Sequence, residues 1–271
     1  MKNHVIALAI LLVSAFIITS CRTEPEWQAL FNGEDLENWD KFLGTSLGPD
    51  FENLAREATT ERVFSVVEAD GEPLIRISGE MNGSLATRED FEDYHLRLVF
   101  RWGDTLFSRR NSGLLYHGFG DLGEVFGTWM PNIEFQLMHQ NLGDTYLMAN
   151  TGCETPALRD EETNQFVYAP DAEPLPFGAH ANGRMIRKGL QAENPLGMWN
   201  TIDLYCLEGT SVHVVNGLTV MVNRNTGVFE DGVLRPLTSG KIQIQSEGAE
   251  LFIKSIDIRP IDMFPEGLFH E

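Results

Sequence analysis

The stretch "NIEFQLMHQNLGD" (Asn132–Asp144) alternates. Ile133, Phe135 and Leu137 fall on one side of an extended chain, and Glu134 and Gln136 on the other. A period of two is the signature of a half-buried strand, because successive side chains point to opposite faces. The run ends at Gly143-Asp144, a turn signal. An acid and an amide side by side on the open face would also suit the floor of a binding site.

The same pattern recurs outward in both directions. "YHLRLVFRW" (94–102) places Leu96, Leu98 and Phe100 opposite Arg97, Val99 and Arg101. "GKIQIQS" (240–246) places Ile242 and Ile244 opposite Lys241, Gln243 and Gln245. "FSVVEAD" and "GEPLIRISG" meet at Asp70-Gly71, a hairpin signal. "SGLLYHG", "TIDLYCLEG", "SVHVVNGLTVMVN" and "ELFIKSIDIRPI" add further short strands. Beyond the N-terminus no stretch of useful length has helical period. Many short strands parted by Gly, Asn and Asp predict an all-β sandwich or barrel over residues 27–271. Each strand is expected to turn an apolar face to the core and a polar face to water. Residues 150–197, rich in Pro, Gly, Asn and charge, read as a long inserted loop, a surface excursion or a lid.

The 271 residues are 42% hydrophobic, enough for a substantial core, and carry a formal charge of −20. Such an acidic chain is unsuited to neutralising phosphates, so no nucleic-acid partner is expected. "MKNHVIALAILLVSAFIITSC" (1–21) has a basic start, a short apolar run and small residues before a cysteine. Residues 1–20 read as a secretory signal peptide, too short in its apolar part to span a membrane comfortably. The segment is similar to a bacterial lipobox, which implies lipidation of Cys21 and a membrane-anchored lipoprotein, periplasmic or at the cell surface. Residues 21–26 would be its tether. Cys153 and Cys206 allow one disulfide, although Cys206, within "TIDLYCL", reads as a buried thiol. No Cys/His pattern at zinc spacing, no Rossmann glycine pattern and no P-loop occur, so no cofactor is expected. A divalent ion held by oxygen and nitrogen ligands from Glu134, His139, Asp144 and His117 stays open, although their spacing matches no tight motif.

Several segments together carry a resemblance. "LFNGEDLENWDKF" (30–42), "YHLRLVFRW" followed by "NSGLLYHG", "IEFQLMHQNLGD", "PLGMWNTIDLYCLEGTSVHVVNG" and "GKIQIQSEGAELFIKSIDIRPI" occur in the order seen in the 3-keto-disaccharide hydrolase domain family, which they resemble over about residues 28–262. The resemblance implies a concanavalin A-like jelly-roll and activity on glycosides whose C3 hydroxyl is already a ketone. It also implies a separate sugar 3-dehydrogenase that makes that ketone. The segment after the Glu-x-Gln strand departs from many relatives, reading "LMHQNLGDTYLM" and then "NTGCETP". That departure leaves cleavage, hydration and binding alone all open.

A C3 ketone acidifies the C2 proton. Elimination of the aglycone then needs a base at C2, a donor at the ketone oxygen and an acid at the glycosidic oxygen. Glu134 is the first candidate for acid or base, or else a solvated strand residue paired with Arg97 or Arg101. His117 and His139, at strand ends, could shuttle protons or be ordinary surface residues. Arg97 could polarise the ketone, and Asn111 could hold a hydroxyl or cap the turn before Ser112-Gly113. Gln136, Gln243 and Gln245 could bind sugar, as could Lys188 in the insertion, and Trp199 could stack on a pyranose or belong to the core. A non-catalytic carbohydrate-binding lipoprotein is the alternative, and a conventional two-carboxylate glycosidase is the third reading.

Overall fold

The computed structural model describes residues 25–269. The leader and Cys21 lie outside the described residues. The molecule is a β-sandwich, within what the alternation predicts, and of the concanavalin-like, jelly-roll type that the resemblance implies.

One antiparallel sheet runs in the order Phe64–Ala69, Glu72–Ile77, the C-terminal half of Ser239–Pro260, the N-terminal half of Tyr94–Asn111, Asn200–Leu207, Thr210–Val215 and Leu218–Glu230. The other runs Trp39–Leu43, Gly83–Thr87, the N-terminal half of Ser239–Pro260, Gly113–Gly118, Ile133–Gln136, Thr145–Leu147 and Met185–Ile186. The strand Ser239–Pro260 therefore serves both sheets. It changes sheet at a bulge around Gly248, whose φ of 99° and contact with Ser108 exclude a side chain.

The inner faces meet in one core. Leu96, Leu98, Phe100, Ile202, Leu204, Ile256 and Ile258 come from the first sheet, and Leu114, Ile133, Phe135 and Ile244 from the second. A polar network also crosses the core. The Tyr116 hydroxyl lies 2.7 Å from Ser211 Oγ and 3.2 Å from His213 Nε2, and His213 Nδ1 donates to the Gly143 carbonyl at 3.1 Å. The His213 ring stacks on Phe135 at 4.1 Å, just behind Glu134. Burial pushes the His213 pKa down to about 3, so the ring is a neutral strut rather than a proton carrier.

The Asp70-Gly71 and Asn216-Gly217 pairs both take positive φ and close tight hairpins, as their sequences demand. Helix is confined to short pieces such as Glu52–Glu57 and Thr60–Val63.

Two expectations need correction. Residues 150–197 are not one loop: Thr151–Arg159, Phe166–Tyr168, Pro174–Gly178 and Met185–Ile186 are strands. Thr151–Arg159 pairs with Pro174–Gly178 on one side and with Leu218–Glu230 on the other, burying Cys153, Thr155 and Ala157. The prolines that argued for a loop sit at positions 174 and 176 of the Pro174–Gly178 strand, which pairs on one side only, where a missing N–H costs nothing. The polar faces are also not all wet. Glu134, Gln243 and Gln245 are each at most 2% exposed, because loops cover that side of the second sheet. Cys153 and Cys206 are both free buried thiols, and burial raises their pKa, that of Cys153 to about 12.

Candidate active site

A cleft of about 530 Å³ opens on the outer face of the second sheet. Its floor is built from three neighbouring strands. Ile133–Gln136 contributes Glu134 and Gln136, the turn from Tyr94–Asn111 into Gly113–Gly118 contributes Asn111, and Ser239–Pro260 contributes Gln245 and Glu247. These side chains share a face because the strands are antiparallel and in register, with Leu115 opposite Glu134 and Gly113 opposite Gln136.

Gly113 explains how the floor is packed. A Cβ there would lie 2.5 Å from Glu134 Oε1 and 2.6 Å from Gln245 Oε1. The absent side chain is the space into which the carboxyl and the amide converge. The preceding Ser112 hydroxyl donates to the Gln245 carbonyl at 2.8 Å and ties the turn to the floor.

The electrostatics single out one carboxyl. Asp144 accepts from Arg187 Nη1 at 2.6 Å and from the Lys188 backbone N–H at 2.9 Å. Glu247 is paired with Arg109 at 2.9 Å. No donor or cation among the described residues is bonded to the Glu134 carboxyl. Burial, reinforced by the charges of Glu247 and Asp144, pushes its carboxyl well above the ordinary range, while Arg109 acts in the opposite sense. A carboxyl of this kind can hold or take up a proton near neutral pH.

The segment "GFGDLGEVFGTWMPN" (118–132) forms one wall. Trp129 is buried and donates Nε1–H to the Gly83 carbonyl at 3.1 Å. Phe126 stands edge-on to it at 6.4 Å and is 62% exposed, with a φ of 51°. A bulky residue held in the left-handed region marks stored strain, and such strain gathers at functional sites. Tyr146, Met148, Met185 and Arg187 line the cleft as well.

A family match decides what this cleft belongs to. The 3-keto-alpha-glucoside-1,2-lyase-like domain model matches residues 26–259. The chain belongs to that family. No curated protein sequence matches it. Among solved structures, a "putative glycosyl hydrolase" from Parabacteroides distasonis superposes with a TM-score of 0.51 at 18% identity, over 87% of this chain and 100% of that one. A second protein so described, from the same organism, gives 0.49 at 18% identity, over 87% and 94%. A Bacillus licheniformis β-glucanase gives 0.43 at 11% identity, over 89% and 100%. At these identities the likeness is one of fold.

Within this 3-keto-glucoside lyase-like domain, the structure brings Glu134, Gln136 and Asn111 together in the cleft. Gln136 also accepts from the Met138 N–H at 3.0 Å, which shapes the turn beyond it. Gln245, also read as a sugar ligand, shares that floor, and the remaining sequence candidates lie elsewhere. His117 is buried against Tyr94 and Tyr116, and burial lowers its pKa to about 3, so it stays neutral at any ordinary working pH. His139 bonds Glu193 at 2.8 Å and so clips the turn after Gln136 to the segment before Trp199. Lys188 sits under the same turn, donating from Nζ to the Gln140 carbonyl at 2.5 Å. Gln243 accepts from Ser84 Oγ at 3.0 Å and from the Met130 N–H at 3.1 Å, anchoring the Trp129 wall from beneath.

Arg97 and Trp199 belong to the first sheet. Arg97 bonds Asp203 at 2.7 Å, and His95 bonds the same oxygen at 2.7 Å. Burial opposes the Asp203 charge, but these two bonds prevail and hold its carboxyl below the ordinary value. Trp199 is half-buried beneath the Arg101 guanidinium at 4.9 Å, and Arg101 pairs with Asp70, not Glu134. Arg97→Ala is therefore expected to lower the melting temperature while leaving kcat/KM unchanged. A large loss of turnover in a folded Arg97→Ala protein would contradict this placement.

Sequence reading passed over Gly113, Arg109, Phe126, Trp129 and Tyr146. The glycine-rich run around Phe126 and Trp129 was the available signal, since loops that present binding residues share that composition. Among the described residues no group of three or more His, Cys, Asp or Glu is placed to share a metal ion.

Proposed function

We propose that the domain cleaves 3-keto-glycosides by elimination, with Glu134 as the acid–base group. One observation carries this reading: a buried carboxyl with a raised pKa and no bonded donor or cation, on the floor of a sugar-sized cleft. Glu134 takes the C2 proton, and the C2–H pair becomes the C1–C2 double bond. The C1–O bond breaks with its electrons on the aglycone oxygen, which gains a proton and leaves as an alcohol. The other product is an unsaturated 3-keto sugar, and adding water to it would make the net reaction a hydrolysis. Asn111 and Arg109 are among the donors lining the cleft that can serve the oxygen that gathers charge.

The alternative two-carboxylate mechanism needs a second free carboxyl roughly 5–10 Å away. Asp144 and Glu247 are instead held in ion pairs with arginines. In the same reading a separate sugar 3-dehydrogenase supplies the ketone, and the chain is exported with Cys21 lipidated.

The test is release of a chromophore from an aryl 3-keto-glucoside, beside the unoxidised glucoside, by wild type and Glu134→Gln. Release from the keto form alone, lost in the variant, is the expected result. Tight binding of either sugar without release would replace the enzyme by a carbohydrate-binding protein. Phe126→Ala is expected to raise KM about tenfold, the loss of roughly 1.4 kcal/mol of stacking, with kcat little changed. An unaltered KM would remove Phe126 from the sugar site.

A further inference from the structure

Two buried acceptors on the cleft floor have no donor: Gln245 Oε1 and Asn111 Oδ1. Gln245 is not free to turn away as a whole. Its strand pairs with Ser84 on one side, and its carbonyl is held by Ser112 on the other. Its amide oxygen and Glu134 Oε1 flank the single point above Gly113 where a Cβ is missing. Two acceptor oxygens so placed repel each other unless a proton lies between them.

Among the described residues no cation is placed to stand there instead. Arg109 is bonded to Glu247, and Arg187 and Lys188 to Asp144. The charged groups acting on Glu134 are then Glu247 on Ser239–Pro260, across the intervening Gly113–Gly118 strand, Asp144 beyond the turn, and Arg109 at the mouth.

We infer that Gln245 is a positioning residue for Glu134: its Oε1 accepts the O–H of a neutral Glu134 carboxylic acid, so the cleft rests with Glu134 protonated and fixed in one orientation. Gly113 is the space that permits the contact. For the elimination, on whose proposal this consequence rests, Glu134 must first give that proton to solvent. The value of kcat/KM then climbs as pH rises through the Glu134 titration.

The test reads the proton directly. Side-chain carboxyl carbons of glutamate are labelled with 13C, and the Glu134 signal is assigned by its absence in Glu134→Gln. In wild type the signal is expected to titrate above the ordinary carboxylate range. In Gln245→Met, which keeps length but removes the acceptor, the midpoint is expected to fall. A role in packing alone predicts the reverse, since a thioether makes the site more apolar and would raise it further. Gln245→Asn, which draws the acceptor back by one carbon, should shift the midpoint in the same direction as Met, and stands in for it if that variant does not fold. A rise, or no change, in the folded variant means that Gln245 presents its N–H₂ or nothing to Glu134, and overturns the inference. So does a wild-type midpoint at the ordinary value. Titration is independent of turnover, so a protein inactive on every keto-glycoside would sink the proposed function and leave this inference standing.

Discussion

Glu134→Gln is expected to melt higher than wild type at neutral pH while losing about 10²–10⁴-fold in turnover of a 3-keto-glycoside. The two effects share one cause. The unfolded chain has a glutamate of ordinary pKa, 4.5, and the folded chain has one raised well above it by burial and by the charges of Glu247 and Asp144. Between those two values the folded state binds more protons than the unfolded one. Stability from this group is therefore present in full below the unfolded pKa and is lost as pH climbs to the folded one. Glutamine removes that slope. The difference in melting temperature between variant and wild type should be small in acid and grow as pH rises. In a domain of this size each kcal/mol recovered is worth roughly 2–4 °C. A variant less stable than wild type at every pH would mean that the Glu134 charge is well solvated or paired. Lost turnover with unaltered stability would separate the catalytic role from the buried-charge account.

Periodicity made Glu134 legible, and its limits explain the residues that were misplaced. Alternation tells which face a side chain takes, and Leu96, Leu98 and Phe100 are all in the core as expected. It does not tell which of two sheets owns the strand. Arg97 is on an outer face, as read, but on the sheet without the cleft, where Asp203 claims it. Nor does alternation tell what lies above a face. Gln243 and Gln245 are two residues apart on one strand, one fixed under the Trp129 wall and the other on the cleft floor. Only the path of residues 118–132, set by contacts far apart in sequence, separates them. The hairpins at Asp70-Gly71 and Asn216-Gly217 were legible for the opposite reason, because a two-residue turn is decided by its own backbone.

Gly113→Ala is expected to leave the fold intact and to lower kcat by about 10²-fold, the scale on which small misplacements of a reacting group act. The position makes no demand for positive φ, so alanine meets no backbone strain. The obstruction is local. The new methyl would approach Glu134 Oε1 to 2.5 Å and Gln245 Oε1 to 2.6 Å, closer than carbon and oxygen tolerate. Both are the far ends of flexible side chains, so they rotate rather than push the sheet apart. The strand keeps its pairing with Ile133–Gln136 and Ser239–Pro260, and removal of a glycine favours the extended chain. The melting temperature should therefore hold or rise slightly. What the variant loses is the meeting of carboxyl and amide over Gly113, and with it the fixed aim of Glu134. The wall formed by Phe126 and Trp129 is untouched, so KM should change much less than kcat. Full activity in Gly113→Ala would show that the position of Glu134 over this glycine is not what the chemistry requires.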